Sequence, residues 1–183
     1  SNFDPAYLAM TLATHGHQAV RDVMAAWRRT SVFVGQIKAA DSGRVHVYPF
    51  LRQPVPTYKL CRADMTNIRF ALDRLSELLF AAGAERVYLP IRGTGAVADV
   101  DSARRVTRGP INPRALDLLS VHAMGSCPLG GPVDAWGRVR GADNLFVNDA
   151  SMLPGATGVN PQMTIMAVAR RNIEKILAEK WGR

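Results

Sequence analysis

Apolar positions fall at helical spacing in three stretches of the chain. Over residues 4–29, Leu8, Leu12, Val20, Val23, Met24 and Trp27 make an imperfect stripe. Asp4 can cap it and Pro5 suits the first helical position, so one helix is expected. Over about 64–82, Ile68, Ala71, Leu72, Leu75, Leu78 and Leu79 keep the same spacing. There Asp64 or Thr66 stands as cap and Gly83 as stop. The third stripe, Met166, Ala169, Ile173, Ile176 and Leu177, predicts a buried helix face. Asn160-Pro161 reads as its cap and first residue.

Between the helices the period changes. Residues 31–38 and 44–50 read as strands, joined by the turn Ala40-Asp41-Ser42-Gly43 into an antiparallel hairpin. Residues 57–62 alternate as a third strand. Residues 86–91 form a fourth, weakened by Pro90. From 92 to 115 glycine and proline punctuate a polar stretch that reads as a loop. Its Gly93-Thr94-Gly95 has no third glycine in register and fails as a dinucleotide fingerprint. Leu145-Phe146-Val147 reads as a short buried strand with Asp149 after it, and the stretch from Asp134 to Gly141 as a hairpin.

Composition narrows the class. The 183 residues are 48% hydrophobic and 21% charged, values of a globular chain with a core. No apolar run approaches a membrane span, and no basic-then-apolar leader opens the chain. Two cysteines, Cys61 and Cys127, argue against a disulfide scaffold and for a reduced, cytoplasmic setting. The net charge is +8, but Arg28-Arg29, Arg104-Arg105, Arg170-Arg171, Lys175 and Lys180 are scattered without a run of interleaved aromatics. No nucleic-acid partner is therefore expected.

The chemistry concentrates in Ser120–Gly131, SVHAMGSCPLGG. A Cys127 thiolate with His122 as base lacks the surrounding signature of a cysteine enzyme. Metal ligation lacks paired ligands: His15 and His17 are two apart on a helix and diverge, and His46 alternates with valines in a strand. No metal site is expected. His122 then stands as a single base whose partner lies elsewhere. The helix beginning at Asn160 offers a positive N-terminus, approached through the glycine-rich LPGATGVNP. On local features, a ligand-facing helix end and an ordinary capped helix stand level.

Residues 122–176 carry a wider pattern. His122, Gly125-Ser126-Cys127, Val133-Asp134, Gly137, Val139, Gly141, Asn144-Leu145-Phe146-Val147, Asp149-Ala150-Ser151, Gly158-Val159-Asn160-Pro161 and Thr164 follow in order. This resembles the C-terminal signature of the glucose–methanol–choline (GMC) oxidoreductases, within them the cholesterol oxidase and long-chain alcohol oxidase branch. PVPTYKL followed by Asp64 and a helix ending in AAGA resembles the preceding family region. Residues 1–50 carry no specific motif.

The resemblance implies an FAD-dependent oxidation of alcohols. His122 matches the active-site histidine over the flavin, and Asn160 its partner. The alcohol proton leaves with help from His122 while hydride passes from the carbinol carbon to flavin N5. Asp149 and Ala150 match the turn that meets the FAD phosphate and ribityl chain. Asn160, Pro161 and Gln162 match the segment at the flavin pyrimidine edge. The implied substrate is an apolar alcohol, sterol or long-chain. The branch's active-site glutamate has no counterpart placed by motif.

The family's opening Gly-x-Gly-x-x-Gly unit is absent from these residues. The chain therefore reads as the C-terminal portion of a longer enzyme or a truncated product, missing an N-terminal FAD-binding portion and inactive alone. The expected fold class is α+β. Residues 1–119 would supply an antiparallel sheet with packed helices, part of a substrate-binding domain. Residues 120–183 would add a strand and a helix that complete an FAD domain. Two rivals stand: a fragment or paralogue that kept the fold without the cofactor, and a basic binding module.

Overall fold

A computed structural model describes residues 4–182. The fold is α+β: the described residues form five α-helices and small antiparallel sheets. It divides into two compact units, Ser1–Leu119 and Ser120–Arg183.

The first unit opens with helices α1 (Pro5–Leu12) and α2 (His17–Ala25). Asp4 caps α1 by accepting from the Ala6 amide at 2.7 Å, with Pro5 in the first turn. The single helix expected over 4–29 is broken. After α1 the chain tightens into a 3-10 turn, Ala13–His15, and Gly16 takes φ 90°, which a helix cannot accommodate. Folding back lets Leu8, Leu12 and Val23 bury together with Val20, Val32 and Tyr88 around them.

Residues 31–38 form no strand; Phe33 and Val34 are exposed. The hairpin is instead built by β1 (Arg44–His46) and β2 (Val55–Thr57), with Val45 opposite Pro56. The expected third strand over 57–62 is not formed: β2 ends at Thr57, residues 58–61 carry no regular structure and Arg62 opens the next helix. Pro56, lacking an amide proton, sits in a strand of a two-stranded sheet, where one edge needs no donor.

Helix α3 (Arg62–Ala81) follows the predicted bounds closely. It buries Asp64, Ile68, Leu72 and Ser76, each one turn apart, while Leu78 points to solvent. Next come β3 (Val87–Tyr88) and β4 (Ala96–Val97), which pair antiparallel. Ile68, Leu72, Val87, Leu89, Ile91, Val97, Ala103 and Leu116 make the main core.

The stretch expected to be loop contains helix α4 (Val100–Arg108). Asp99 and Ser102 close a capping box at its start. Ala103 and Thr107 are fully buried, and their small size suits close approach to α3. Polar links reinforce the contact. Arg104 pairs with Glu77, and Arg108 with Asp73 at 3.2 Å. Arg69 donates to the carbonyls of Thr107 and Gly109, acceptors that the end of α4 leaves without an intrahelical partner.

The second unit is mostly loop laid against one helix, α5 (Gln162–Trp181). Its buried residues include Val133, Met152, Leu153, Pro161, Asn172 and Ile176. The predicted strand 145–147 is reduced to one antiparallel bridge, Arg138 to Phe146, and Leu145 is exposed. The hairpin between Asp134 and Gly141 forms as a tight turn: the Asp134 amide donates to the Arg138 carbonyl at 2.9 Å, and Val133 bridges Val139.

The predicted stripe of α5 needs correction. Met166, Ile173 and Leu177 are exposed, and the buried face carries Asn172 and Ile176. Apolar spacing marks a helix face, but only packing decides which face is covered.

Candidate active site

The candidate residues lie on the loop of His122, the turn after Phe146 and the start of α5. Asp149 caps a 3-10 turn, Ala150–Met152. One carboxylate oxygen accepts from the Ser151 hydroxyl at 2.5 Å and from the Ser151 amide at 2.8 Å. Those two bonds hold Asp149 below the usual aspartate range. It is therefore anionic at neutral pH and turned inward on its own turn.

The loop of His122 runs along that turn. The Cys127 amide donates to the Ser151 carbonyl and the Leu129 amide to the Met152 carbonyl, both at 3.0 Å. Gly125, at φ 86°, lies against the backbone of Leu153 and Pro154. These contacts fix the loop by its backbone. His122 itself is exposed.

Helix α5 starts one residue later than predicted. Pro161 occupies the cap position with φ −84° and ψ −2°, and its carbonyl accepts from the Ile165 amide at 2.8 Å. Asn160 is exposed and does not cap the helix; Pro161 is buried and Gln162 exposed. No side chain caps this N-terminus, and no acidic residue lies in the first turn. The first amides of this 20-residue helix are thus left without a side-chain partner, at the end where the helix dipole is positive.

Loop, turn and helix start thus belong to one unit. Among the described residues no hydrogen bond joins His122 to Asn160, or His122 to Cys127. Cys127 is a half-buried free thiol whose loop is held by main-chain bonds. No group of three His, Cys, Asp or Glu among the described residues could hold a metal ion. An open concavity of about 550 Å³ lies over Asp134, Arg138, Arg140 and Asp143 and takes in none of the predicted site residues.

One participant escaped sequence reasoning. Asn172 is completely buried in α5 and bonds to both sides of the Asp149 turn. Its signal was available: a polar residue at the inward position between Ala169 and Ile176.

Comparison with known families gives residues 34–169 a match to the family described as GMC oxidoreductase, in its C-terminal part. The chain belongs to the GMC oxidoreductases. It is 37% identical over 183 residues to the uncharacterized GMC-type oxidoreductase y4nJ of Sinorhizobium fredii, covering 97% of this chain and 36% of that protein. It is 36% identical over 148 residues to an uncharacterized GMC-type oxidoreductase of Mycobacterium tuberculosis, covering 78% of this chain and 23% of that one. A long-chain-alcohol oxidase of Arabidopsis thaliana is 30% identical over 171 residues, covering 80% of this chain and 21% of the plant protein. The chain spans little more than a third of the length of the first of these relatives and less of the others. Among the described residues, no helix is long and apolar enough to cross a membrane.

Proposed function

We propose that this chain is the C-terminal part of an FAD-dependent oxidoreductase acting on the CH–OH group of alcohols, and that it supplies His122 and Asn160 to the reaction. The observation that carries this reading is the docking of the His122 loop on the Asp149–Met152 turn through Cys127 and Leu129. Two pieces that the family resemblance assigns to one site are thereby joined, and the start of α5 belongs to the same folded unit.

The donor set fits the cofactor. An uncapped helix N-terminus without acidic neighbours suits an electron-rich, anionic ring edge. Ser151 holds the Asp149 carboxylate within its own turn by two hydrogen bonds, which leaves the backbone of the turn for a phosphate. Asp149 and Ala150 would hold the phosphate and ribityl side, and Asn160, Pro161 and Gln162 the pyrimidine edge. FAD, when bound, supplies the hydride acceptor.

His122 accepts the alcohol proton; an imidazole is the ordinary side chain for that step. Asn160 cannot act as a base, but its amide donates to the substrate oxygen and orients it. The alcohol is apolar and long-chain in this reading, as the name of the Arabidopsis relative suggests. His122 and Asn160 are both exposed, and on this reading the chain alone has no turnover.

The test compares the full-length natural protein with this chain. The full-length protein should purify with bound flavin whose absorbance bleaches without oxygen when a long-chain alcohol is added. The isolated chain should do neither. A full-length protein with no flavin, or a flavin indifferent to every alcohol tried, would overturn the proposal.

A further inference from the structure

Asn172 lies at the centre of the second unit. Its side chain has no solvent exposure, and its four polar contacts are of two kinds. The amide oxygen accepts from Arg171 Nε at 3.2 Å and from a terminal Arg171 nitrogen at 2.8 Å. The amide nitrogen donates to Asn148 Oδ1 and to Met152 Sδ, each at 3.3 Å. The orientation is forced chemically. A guanidinium only donates, so the oxygen must face Arg171 and the nitrogen must face the turn.

Asn148 and Met152 bracket Asp149, Ala150 and Ser151. Asn148 also returns to α5 by donating to the Ala169 carbonyl at 3.2 Å. Arg171 in turn donates to the Ala135 carbonyl and stacks on Trp136, its guanidinium carbon 4.7 Å from the ring centre. Gly137 leaves room for the arrangement: a Cβ there would reach within 3.3 Å of both Asn172 Nδ2 and Met152 Sδ. One buried amide therefore holds three segments in register: the helix, the 135–138 turn and the 148–152 turn.

We infer that Asn172 is a positioning residue for the cofactor: it clamps the Asp149–Met152 turn to α5, and so fixes the spacing between the phosphate-facing turn and the helix that begins at the flavin edge. Asn172 lies ten residues into a helix that rises about 1.5 Å per residue, roughly 15 Å from its start. It acts through the turn, without touching the flavin edge. Asparagine is required because the site needs an acceptor on one side and donors on the other. Aspartate keeps the shape and the Arg171 contact but loses both donations to the turn.

This inference rests on the proposed reading that the Asp149 turn meets FAD. The test uses the full-length protein stripped of flavin and titrated with FAD by fluorescence, well below the melting temperature of each variant. Asn172→Asp should raise the FAD dissociation constant about tenfold or more, as expected for two lost neutral hydrogen bonds. Hydrogen exchange at the Ala150–Leu153 amides should quicken in the same variant. Asp149→Ala tests the underlying reading directly. If it weakens FAD while Asn172→Asp leaves binding and exchange unchanged, the inference fails and the reading survives. If Asp149→Ala leaves FAD binding unchanged, both fail. Should Asn172→Asp not fold, Asn148→Ala removes one of the same bonds from the exposed side. It should weaken FAD about threefold to fivefold, and unaltered binding there overturns the inference.

Discussion

Replacing Asp64 with asparagine should destabilise the first unit in a pH-dependent way. Asp64 is fully buried at the start of α3. One oxygen accepts from the Ala40 amide at 2.8 Å. The other accepts from the Tyr58 hydroxyl at 2.7 Å and the Cys61 amide at 3.0 Å. Burial opposes the charge, but these three donors outweigh it and hold Asp64 below the usual aspartate range. The same arrangement pushes the Tyr58 hydroxyl up, through burial first and then its bond to the carboxylate. An asparagine keeps the size but turns an amide NH2 on at least one of the donors.

Hydrogen bonds to a charged group contribute about 1.5–3 kcal/mol each, and a buried donor left unpaired costs about 1–3 kcal/mol. One lost partner and two weakened bonds put the cost of Asp64→Asn at about 2–4 kcal/mol at pH 7. For a chain of this size that is a melting shift of roughly 4–16 °C. A folded-state pKa below the unfolded one places the carboxylate's contribution above the unfolded value, about 3.9, and removes it as pH falls through the folded value. The gap between wild type and variant should therefore be full at pH 7 and shrink on acidification below about pH 4. Urea unfolding of both proteins at pH 7 and at acid pH measures it. A difference under about 0.5 kcal/mol at pH 7, or one independent of pH, would mean that the Asp64 carboxylate does not hold this unit together.

Other substitutions probe the second unit and the helix pair. Gly137→Ala should cost about 2–4 kcal/mol, because φ is 84° and the new methyl would collide with the Val147 carbonyl. Gly141→Ala, at φ 77° with open space around it, should cost only about 1 kcal/mol by chemical denaturation. Met152→Ala removes a side chain with no exposure and should cost about 2–5 kcal/mol in the same assay. Arg69→Ala should fray the end of α4, seen as faster hydrogen exchange at Thr107 and Gly109, since it strips two carbonyls of their donor.

Much of the local structure was written in the chain, and the misses share a cause. Helix α3 was legible because its apolar stripe and Gly83 agree on one element. Helix α4 was hidden because its contacts are a small buried alanine, a buried threonine and arginines paired to α3; the Asp99-to-Ser102 box was its remaining signal. The hairpin went to the wrong partner because local turn residues at 40–43 suggested a closure that the β2 segment outcompeted. Gly16 broke the first helix where its stripe was already imperfect. In α5 the spacing was right but the buried side was Asn172's, set by the loops it holds. The site residues themselves were legible only as a pattern of positions. What brings them into one unit is main-chain bonding at Cys127 and Leu129, to which periodicity is blind.

In the proposed reaction His122 takes the proton in an alcohol oxidation. The most direct measurement is the rate of anaerobic flavin reduction by a long-chain alcohol in the full-length protein, wild type against His122→Ala, at saturating FAD. His122→Ala should retain flavin binding and lower the rate by about 100-fold or more. A His122→Ala protein that reduces its flavin at the wild-type rate would contradict it.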